Sequence, residues 1–497
     1  MIKHQSLVYP AVSRLKLRFS NFSGGVNTTI DENLLPINYA KMSYNTNFKD
    51  KALKTGLGFK ELSLPYQTQF GERNLNYDNA FGNINGVWIF PRYLDTGEKA
   101  DLLFVHADDN AIYHQPLYSD YDIFSKFFGF EYVGKPNVLF HKYQNNDVAV
   151  LTSETDSLAI WNGVGAPAKV ANTLNLTSIC VHYERLFATV SGRKNIVRFS
   201  ANFDLTEWDE SPEEGGFIEF VDERGECNKV LSFNDYVYII REHGISRLSA
   251  YGEQDEFSVT HLFLSADKIY HNAAVLCGDR ILMLCSDGLY SFNGYTATKY
   301  NLKINDMFVN EKMDNAFACY FNGKYYLACN LNFFDDDKVG VETADFHNNA
   351  LFEFDLKSGD YTITRGIDIR HLTPVVDGVT HKLAVVFGDE EHRKVLGELT
   401  DDGCFFGVPL QKKWVSPMSD FGYPDKIKVV REVHLLTKYD IKLTIESECE
   451  SRTFEIAGKS NISKIMPNVK GQRISLTFLS LTDKMHVSNP NVVVDLI

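Results

Sequence analysis

Cysteine is scarce in this 497-residue sequence, which has eight cysteines and no CxxC motif. So few thiols in so long a chain form neither a disulfide framework nor a zinc-binding pattern. No apolar run reaches the roughly 18 to 20 residues that a membrane-spanning helix needs. Residues 1–20 also lack the apolar core of about 7 to 15 residues that a secretory signal requires. We therefore expect no membrane span, free and mostly buried thiols, and a chain that stays in the compartment where it is made.

Positive charge is also in short supply, because 50 Lys and Arg face 65 Asp and Glu, giving a net charge of −15. This balance disfavours a general nucleic-acid binder, whose affinity comes largely from cations that displace phosphate counterions. Lys3, Arg14, Lys16 and Arg18 leave two interpretations open, a local basic arm or a solvated or partner-docked terminus. With 44% apolar residues, 33 glycines and 14 prolines, the composition is that of a globular protein.

Helical periodicity is nearly absent, and short strands rich in Val, Ile, Phe and Tyr take its place. Between the strands stand dipeptides that readily adopt the positive φ of tight hairpins. Those flanked by apolar residues are Asn85–Gly86, Asn162–Gly163, Asp287–Gly288, Asn293–Gly294 and Asn322–Gly323. The sequence therefore predicts an all-β chain with less than roughly 15% helix.

The strands recur as seven hairpin segments, each a strand followed by a turn and a returning strand. In two of these segments, residues 181–188 and residues 230–240 are each interpreted as one strand. One apolar residue from each segment shows the spacing of 38 to 58 residues: Leu102, Val148, Leu186, Tyr236, Ile281, Tyr325 and Leu383. A repeat of about 40 to 50 residues built from four short strands is typical of a β-propeller blade. A β-sandwich has a similar strand density, but this periodicity favours a propeller of six or seven blades.

The sequence outside the repeat divides the chain into three parts. Residues 1–70 are interpreted as an extended N-terminal arm with the first strands, and 71–408 as the propeller. Residues 409–497 alternate strands with short polar turns, which predicts a C-terminal, antiparallel β-sandwich-like domain.

Two sets of phrases resemble a known family. The first is Phe22-Ser-Gly-Gly-Val-Asn27, Leu34-Leu-Pro36, Asn47-Phe48, Ala52-Leu53 and Gly58-Phe59. The second is Arg185-Leu-Phe-Ala188, then 195–200 and 204–208. Their order is similar to that in the β-propeller nozzle, or packaged-DNA-stabilisation, proteins in the tails of short-tailed bacteriophages. The match departs at Gly56, where an arginine is usual, and at Lys51, where a glycine is usual.

The resemblance implies a non-enzymatic virion structural protein of the phage tail, made in the host cytoplasm. Such a protein would form a ring, with six copies suggested by the family, that continues the portal-tail DNA channel, retains packaged DNA and releases it on infection. Its partners would be portal or adaptor ring proteins, tail fibres and other tail proteins. DNA would pass without tight binding, and no cofactor is expected.

No catalytic, cofactor-binding or metal-binding residue is predicted. Ser286-Asp287-Gly288 lacks the full aspartate box of propeller glycosidases and is interpreted as a turn, and Asp335-Asp336-Asp337 as a solvated loop without calcium-loop spacing. The glycines at 24–25 and at 163 and 165 are too short a pattern for a phosphate cradle. The four histidines considered as zinc ligands have no ligand spacing: His243, His371, His381 and His392.

Two other functions remain open. A propeller glycosidase would bring several carboxylates and an arginine cluster together at one end of the central channel. A host-surface or glycan-binding module would present exposed aromatic residues on loops. The segment around Phe22 is open as well, since it fits either a docking arm for a partner subunit or a turn that closes the first blade.

Overall fold

The computed structural model describes residues 13–18, 22, 24–48, 51–63, 66–68, 71–73, 82–117, 124–171, 174–211, 214–340, 342, 346–376, 381–388 and 395–497. The chain is nearly all β, with 53% strand and 3% helix. The described helices are short 3₁₀ turns at Gln254–Glu256, Asn305–Met307 and Asn310–Asn315. Among the described residues, no helix is long and apolar enough to cross a membrane.

Seven strands precede the repeat. They are β1 (Ser13–Arg18), β2 (Met42–Tyr44), β3 (Thr46–Asn47), β4 (Leu53–Thr55), β5 (Gly58–Glu61), β6 (Tyr66–Thr68) and β7 (Gly71–Arg73). β6 and β7 pair with each other, whereas β1 to β5 join sheets that are otherwise built from distant parts of the chain. The predicted arm thus supplies strands to both bodies of the protein.

Six blades follow in chain order, each an antiparallel sheet of four consecutive strands. Blades 1 and 2 contain β8 (Ile84–Phe90), β9 (Leu102–Ala107), β10 (Ile112–Pro116), β11 (Ser125–Lys126), β12 (Asn137–Tyr143), β13 (Asn146–Thr152), β14 (Ala159–Trp161) and β15 (Ala168–Lys169). Blades 3 and 4 contain β16 (Leu176–His182), β17 (Arg185–Val190), β18 (Ile196–Phe199), β19 (Gly216–Glu219), β20 (Cys227–Phe233), β21 (Tyr236–Arg241), β22 (Gly244–Ser249) and β23 (Ser258–Leu264). Blades 5 and 6 contain β24 (Ile269–Cys277), β25 (Arg280–Cys285), β26 (Gly288–Phe292), β27 (Ala297–Lys299), β28 (Phe317–Phe321), β29 (Lys324–Cys329), β30 (Ala350–Asp355) and β31 (Tyr361–Arg365).

Blade 7 closes the circle with a strand from the N-terminal part of the chain. Its own strands are β32 (Ile369–Val376), β33 (His381–Phe387) and β34 (Leu396–Thr400), followed by β35 (Cys404–Phe405) and β36 (Val408–Pro409). β5 pairs antiparallel with β34, with Gly58 opposite Thr400 and Glu61 opposite Gly397. Because blade 7 needs a strand from each end of the repeat, the propeller closes only when both are in place.

The predicted repeat is confirmed, and the described strands form seven blades. Each of the seven residues that set the spacing lies in the second strand of its blade. Aromatic side chains pack between neighbouring blades, as where the Phe90 ring of blade 1 stacks on Phe140 of blade 2 with centroids 5.5 Å apart. Alternation of side chains along each strand leaves both faces of a blade to pack on its neighbours.

The turn predictions are confirmed at some positions and wrong at others. Asn322–Gly323 forms the expected two-residue hairpin loop, with φ of 48° and 78°. Asn85–Gly86 is not a turn, because it lies inside β8 at a register shift. A Cβ at Gly86 would stand 2.3 Å from the Trp88 ring, so the glycine makes room for that side chain.

The two long strands expected at 181–188 and 230–240 are also wrong, because each contains a hairpin. The chain reverses at residues 183–184 and 234–235, between β16 and β17 and between β20 and β21. Tyr183, Asn234 and Asp235 adopt positive φ there. Asparagine and aspartate tolerate this conformation, but a tyrosine gives no such signal in the sequence.

The C-terminal strands form a two-sheet sandwich. They are β37 (Lys413–Val415), β38 (Lys428–Thr437), β39 (Ile441–Ser447), β40 (Ser451–Ile456), β41 (Ser463–Ile465), β42 (Val469–Gly471), β43 (Ile474–Ser480) and β44 (His486–Leu496). One sheet has the order β3-β4-β44-β38-β41, with β1 on β44 and β42 on β38, and the other has the order β2-β37-β43-β39-β40. Buried side chains of the two sheets share one apolar cluster that continues into blades 5 and 6.

All eight cysteines are free, and Cys449 is the exposed one. Burial raises the pKa of Cys227 and of Cys277 to about 12. Since the thiolate is the reactive form, these thiols are both shielded and protonated at neutral pH.

We therefore expect one thiol per native chain to react with Ellman's reagent at pH 8, and eight in denaturant. Cys449→Ser should abolish the native reaction and leave seven thiols reactive in denaturant. Rapid native reaction of several thiols would contradict the packing described for the blades.

Candidate functional site

The chain passes between the sandwich and blade 7 at two short connections. Gly56–Leu57 is the whole link from β4 to β5, and 410–412 is the whole link from β36 to β37. The Gly56 N–H donates to the Asn45 carbonyl at 2.9 Å. A Cβ at Gly56 would lie 2.5 Å from the Asn45 carbonyl carbon, so this close approach requires glycine.

Lys412 reinforces the second connection from inside the protein. Its fully buried side chain donates from Nζ to the carbonyls of Gly403 at 2.7 Å and Leu410 at 2.6 Å. Its backbone N–H donates to the Ser480 hydroxyl at 2.9 Å. Burial lowers the pKa of Lys412 to about 8. This one residue therefore connects a blade 7 turn with the sandwich strand β43.

Asn45 connects the same region with blade 6. It is fully buried and adopts a φ of 57°. Its side-chain amide donates to the Gln411 carbonyl at 2.8 Å, and its side-chain oxygen accepts the Arg365 N–H at 2.8 Å. Asparagine tolerates the left-handed region and has both a donor and an acceptor, which explains its use here.

Phe22 anchors the first family-like phrase within its own chain. The ring is fully buried and meets Trp414 and Phe478 edge-on, with centroids 5.1 Å and 6.1 Å away. Phe22 is therefore not part of a turn that closes blade 1, and its ring is not an exposed anchor for a partner subunit. It packs into the sandwich core, where an aromatic side chain buries a large apolar area.

The residues after Phe22 hold the segment against blades 5 and 6. A Cβ at Gly24 would lie 2.7 Å from the Asn38 carbonyl oxygen, so the backbone fits closely there. The Thr28 N–H donates to the Lys303 carbonyl at 2.8 Å, and the Tyr361 hydroxyl donates to the Val26 carbonyl at 2.5 Å. The Gly-Gly pair thus serves close packing, beside a cleft of about 410 Å³.

Asp335 and Asp337 belong to an ion-pair network, so the prediction of a solvated loop is wrong for them. The Arg365 guanidinium donates to Asp335 at 2.8 Å and to Glu342 at 2.6 Å. Lys413, on the sandwich strand β37, donates to Asp337, and the guanidinium carbon of Arg365 lies 4.2 Å from the Phe333 ring centroid. We call Arg365, Lys413, Asp335, Asp337 and Glu342 the junction network.

The electrostatics of the junction network favour its charged state. Burial opposes ionisation of Asp337, but the hydrogen bond and charge of Lys413 lower its pKa overall. Burial likewise opposes the charge of Arg365, and its bonds to Glu342 and Asp335 raise its pKa. Burial first, and then the charge of Asp337, raise the pKa of Tyr44, whose hydroxyl donates to that carboxylate at 3.0 Å.

The second family-like phrase frames blade 3. The buried Arg185 guanidinium donates to the carbonyls of Ser200 at 3.0 Å and Glu214 at 2.8 Å. The Leu186 N–H donates to the Ser200 hydroxyl at 3.0 Å, and the Trp208 indole donates to the Leu205 carbonyl at 2.9 Å. Residues of both family-like phrases are therefore buried or hydrogen-bonded inside the fold, in the sandwich core and in blade 3.

The remaining sequence candidates do not converge on one site. Residues 286–287 form the β25–β26 turn and Gly288 begins β26, which confirms the predicted turn, and Asp287 accepts from the Tyr290 hydroxyl at 2.7 Å. His243 lies in the β21–β22 turn, His371 in β32 and His381 at the start of β33. His392 lies outside the described residues.

One acidic group was not singled out by sequence reasoning. Among the described residues, Glu207, Asp209 and Glu214 form the only set of three potential metal ligands whose ligand atoms lie within 4.8 Å of one another. These side chains are exposed or half-exposed. Nothing else at the position indicates an ion, so we assign it no function.

A central cavity of about 360 Å³ lies where the innermost strands of blades 2 to 6 line the propeller channel. Its lining includes Lys135, Lys194 and Lys229, with Glu154 as the carboxylate among the described residues. This composition differs from the several carboxylates and the arginine cluster that a glycosidase would bring together.

Exposed aromatic side chains gather at one end of blades 3 and 4. Tyr183 lies in the β16–β17 turn, Phe203 in the β18–β19 loop and Tyr251 in the β22–β23 loop. The rings of Tyr183 and Tyr251 meet edge-on with centroids 5.5 Å apart. Turns after the first and the third strand of an antiparallel sheet emerge at the same end, so the three residues share one face. We call them the aromatic face.

Comparison with known proteins identifies no relative by sequence, since neither a family model nor a curated protein matches the chain. Two solved structures are similar in fold. BBS1N, in a complex with ARL6DN, is 7% identical over 68% of this chain and 96% of that chain, with a TM-score of 0.39. BamB from Moraxella catarrhalis is 10% identical over 78% of this chain and 100% of that chain, with a TM-score of 0.38. Both are β-propeller proteins, and neither is a phage tail protein.

We expect Arg365→Met to lower the free energy of unfolding by about 3 kcal/mol, because it leaves the largely shielded Asp335 and Glu342 carboxylates without their cation. The matched control is Arg280→Met, whose pair with Asp279 is exposed and should contribute little to stability. Thermal unfolding at pH 7 measures both variants. Equal shifts for the two would contradict the structural role of the junction network.

The junction network also predicts how the stability of the fold decreases at acid pH. Because the folded-state pKa of Asp337 lies below its ordinary 3.8, its stabilising effect is complete above about pH 4. The effect is lost as pH falls through that lower folded-state value, so Lys413→Met should flatten the decline in melting temperature below pH 4.

Proposed function

We propose that this chain is a non-enzymatic structural protein of a bacteriophage tail, where copies form a ring that continues the DNA channel. The observation that carries the proposal is the location of the family-like phrases. They anchor the N-terminal segment at the junction and frame blade 3, so the resemblance concerns the residues that build a propeller joined to a sandwich. Two bodies joined by connections of two and three residues suit a subunit that must keep its shape around a DNA channel.

The exposed apolar residues outside the repeat are the proposed ring contacts. Phe22 is buried in its own chain, but Leu34 in the same segment is 76% exposed. Ile462, which precedes the sandwich strand β41, is 63% exposed. Ring closure needs two different patches that meet by rotation, and these residues lie on two different segments.

The net charge supports passage of DNA. A charge of −15 per chain disfavours tight contact with phosphates, so packaged DNA can slide through the ring when it is released.

Incorporation into particles tests the proposal. Phage particles are purified from cells in which the gene for this chain carries Leu34→Asp or Ile462→Asp. These particles should contain at least tenfold less of the chain and retain less genome, because a charge at the contact opposes ring closure. Val164→Asp is the matched control, since Val164 is 70% exposed on a propeller loop. Quantitative mass spectrometry of purified particles gives the copy number relative to the portal, with six expected per ring.

A complete absence of the wild-type chain from particles would overturn the proposal. Normal incorporation of both contact variants would overturn the assigned ring surface.

The aromatic face favours a second candidate function, binding of a host-surface glycan. Aromatic rings can stack on the apolar faces of sugars, and Tyr251 is 73% exposed. Binding of capsular or cell-wall oligosaccharides, measured by calorimetry, should fall at least tenfold in Tyr251→Ala and remain unchanged in Tyr423→Ala on the sandwich. Release of cleaved glycan would instead contradict the non-enzymatic assignment.

A further inference from the structure

The central cavity is a polar chamber that opens into the middle of the propeller. Blades 2 to 6 all contribute residues to its lining, so an occupant can touch several blades at once. The lining residues used below are Lys135, Asn137, Lys194, Asn228, Lys229 and Asn272. A volume of about 360 Å³ is suited to a small molecule and far too small for a DNA duplex.

Within the part of the chain that the structure describes, two of its lysines have no carboxylate bonded to them. The Lys135 Nζ donates to the Arg370 carbonyl at 3.0 Å, and the Lys229 Nζ donates to the Ala274 carbonyl at 2.8 Å. Lys194, by contrast, pairs with Glu226 at 2.9 Å. Each ammonium group has three protons, so Lys135 and Lys229 keep donors for a ligand.

The surroundings of these lysines concentrate positive charge in a protein that is acidic as a whole. Desolvation by the surrounding blades lowers the pKa of Lys135, whose side chain is exposed to the chamber, and of the half-buried Lys229 to about 8, so both remain mostly protonated at pH 7. Burial, and then the charge of Lys229, lower the pKa of His271 to about 4. Glu154 is the carboxylate of the lining.

Further charged groups stand around the two lysines. His371 on β32 lies near Lys135, and burial followed by the charge of Lys135 lowers its pKa. Asp368 and Asp108 lie beside Arg370, at 3.9 Å and 3.5 Å from its guanidinium. Asp108 and Asp368 thus lie beside Arg370. Among the described residues, Glu154 makes no hydrogen bond to Lys135 or Lys229.

The neutral part of the lining includes three amides, together with several Ser and Thr hydroxyls and the Phe317 ring. Asn137, Asn228 and Asn272 belong to the inner strands of blades 2, 4 and 5. Planar carboxylates are best matched by the fork of an arginine, whereas lysine binds phosphate as a point charge. Lysines and amides that surround a chamber can reach the tetrahedrally arranged oxygens of a phosphate from several sides.

We propose that the central cavity binds a phosphate group, either as free phosphate or as a small phosphate monoester, held by Lys135 and Lys229. This site lies inside one propeller and does not depend on the proposed virion role.

Calorimetric titration of the full chain with inorganic phosphate at pH 7 and low salt tests the site. We expect saturable binding of one phosphate per chain, weakened at least tenfold in Lys135→Met and in Lys229→Met. Lys464→Met removes the same charge from the sandwich and should leave the affinity unchanged. Thermal melting verifies that each variant is folded.

Further titrations separate the sources of the ligand and challenge the chemistry. Glucose 6-phosphate that binds more tightly than inorganic phosphate would identify a monoester, and equal or weaker binding would identify free phosphate. Affinity for either ligand should fall as pH rises from 7 to 9.5, because both lysines lose their protons. No saturable binding, binding that ignores both substitutions, or equal lysine-dependent binding of acetate would each overturn the proposal.

Discussion

The two short connections between blade 7 and the sandwich are the constraint on which the rest of the structure depends. One has two residues, 56–57, and the other three, 410–412, so neither can act as a flexible linker. Strand β5 closes the propeller immediately after β4 has joined the sandwich. The two bodies must therefore fold in a consistent arrangement, which the junction network and the buried Lys412 then stabilise.

The sequence was informative where structure follows from neighbouring residues. Short strands, the dipeptide at 322–323 and a spacing near 45 residues predicted the blades, because hairpins form between segments close in the chain. The same Asn-Gly dipeptide does not form a turn at Asn85–Gly86, because the packing of the Trp88 ring determines the backbone conformation there. The sequence analysis named exposed aromatic residues on loops only as the feature that would indicate a glycan-binding module. It could not say which aromatic residues share a face, because that depends on the order of the strands.

The junction network could not be predicted, because its members are distant in sequence. Arg365 meets Asp335 across 30 residues, and Lys413 meets Asp337 across 76. An aspartate run without such partners is indistinguishable from a solvated loop. Lys135 and Lys229 escaped notice for the same reason, since only closure of the blade circle brings separate inner strands to one cavity.

The short connections, the net negative charge and the location of the family-like phrases are the observations behind the proposed role as a building block of a tail. A cryo-electron microscopy reconstruction of phage particles made in cells that express the chain's gene tests the proposed role most directly. The account predicts copies of the joined propeller and sandwich in a closed ring around the DNA exit path. The chain's absence from the particle, or its presence only as isolated copies at the periphery of the tail, would contradict it.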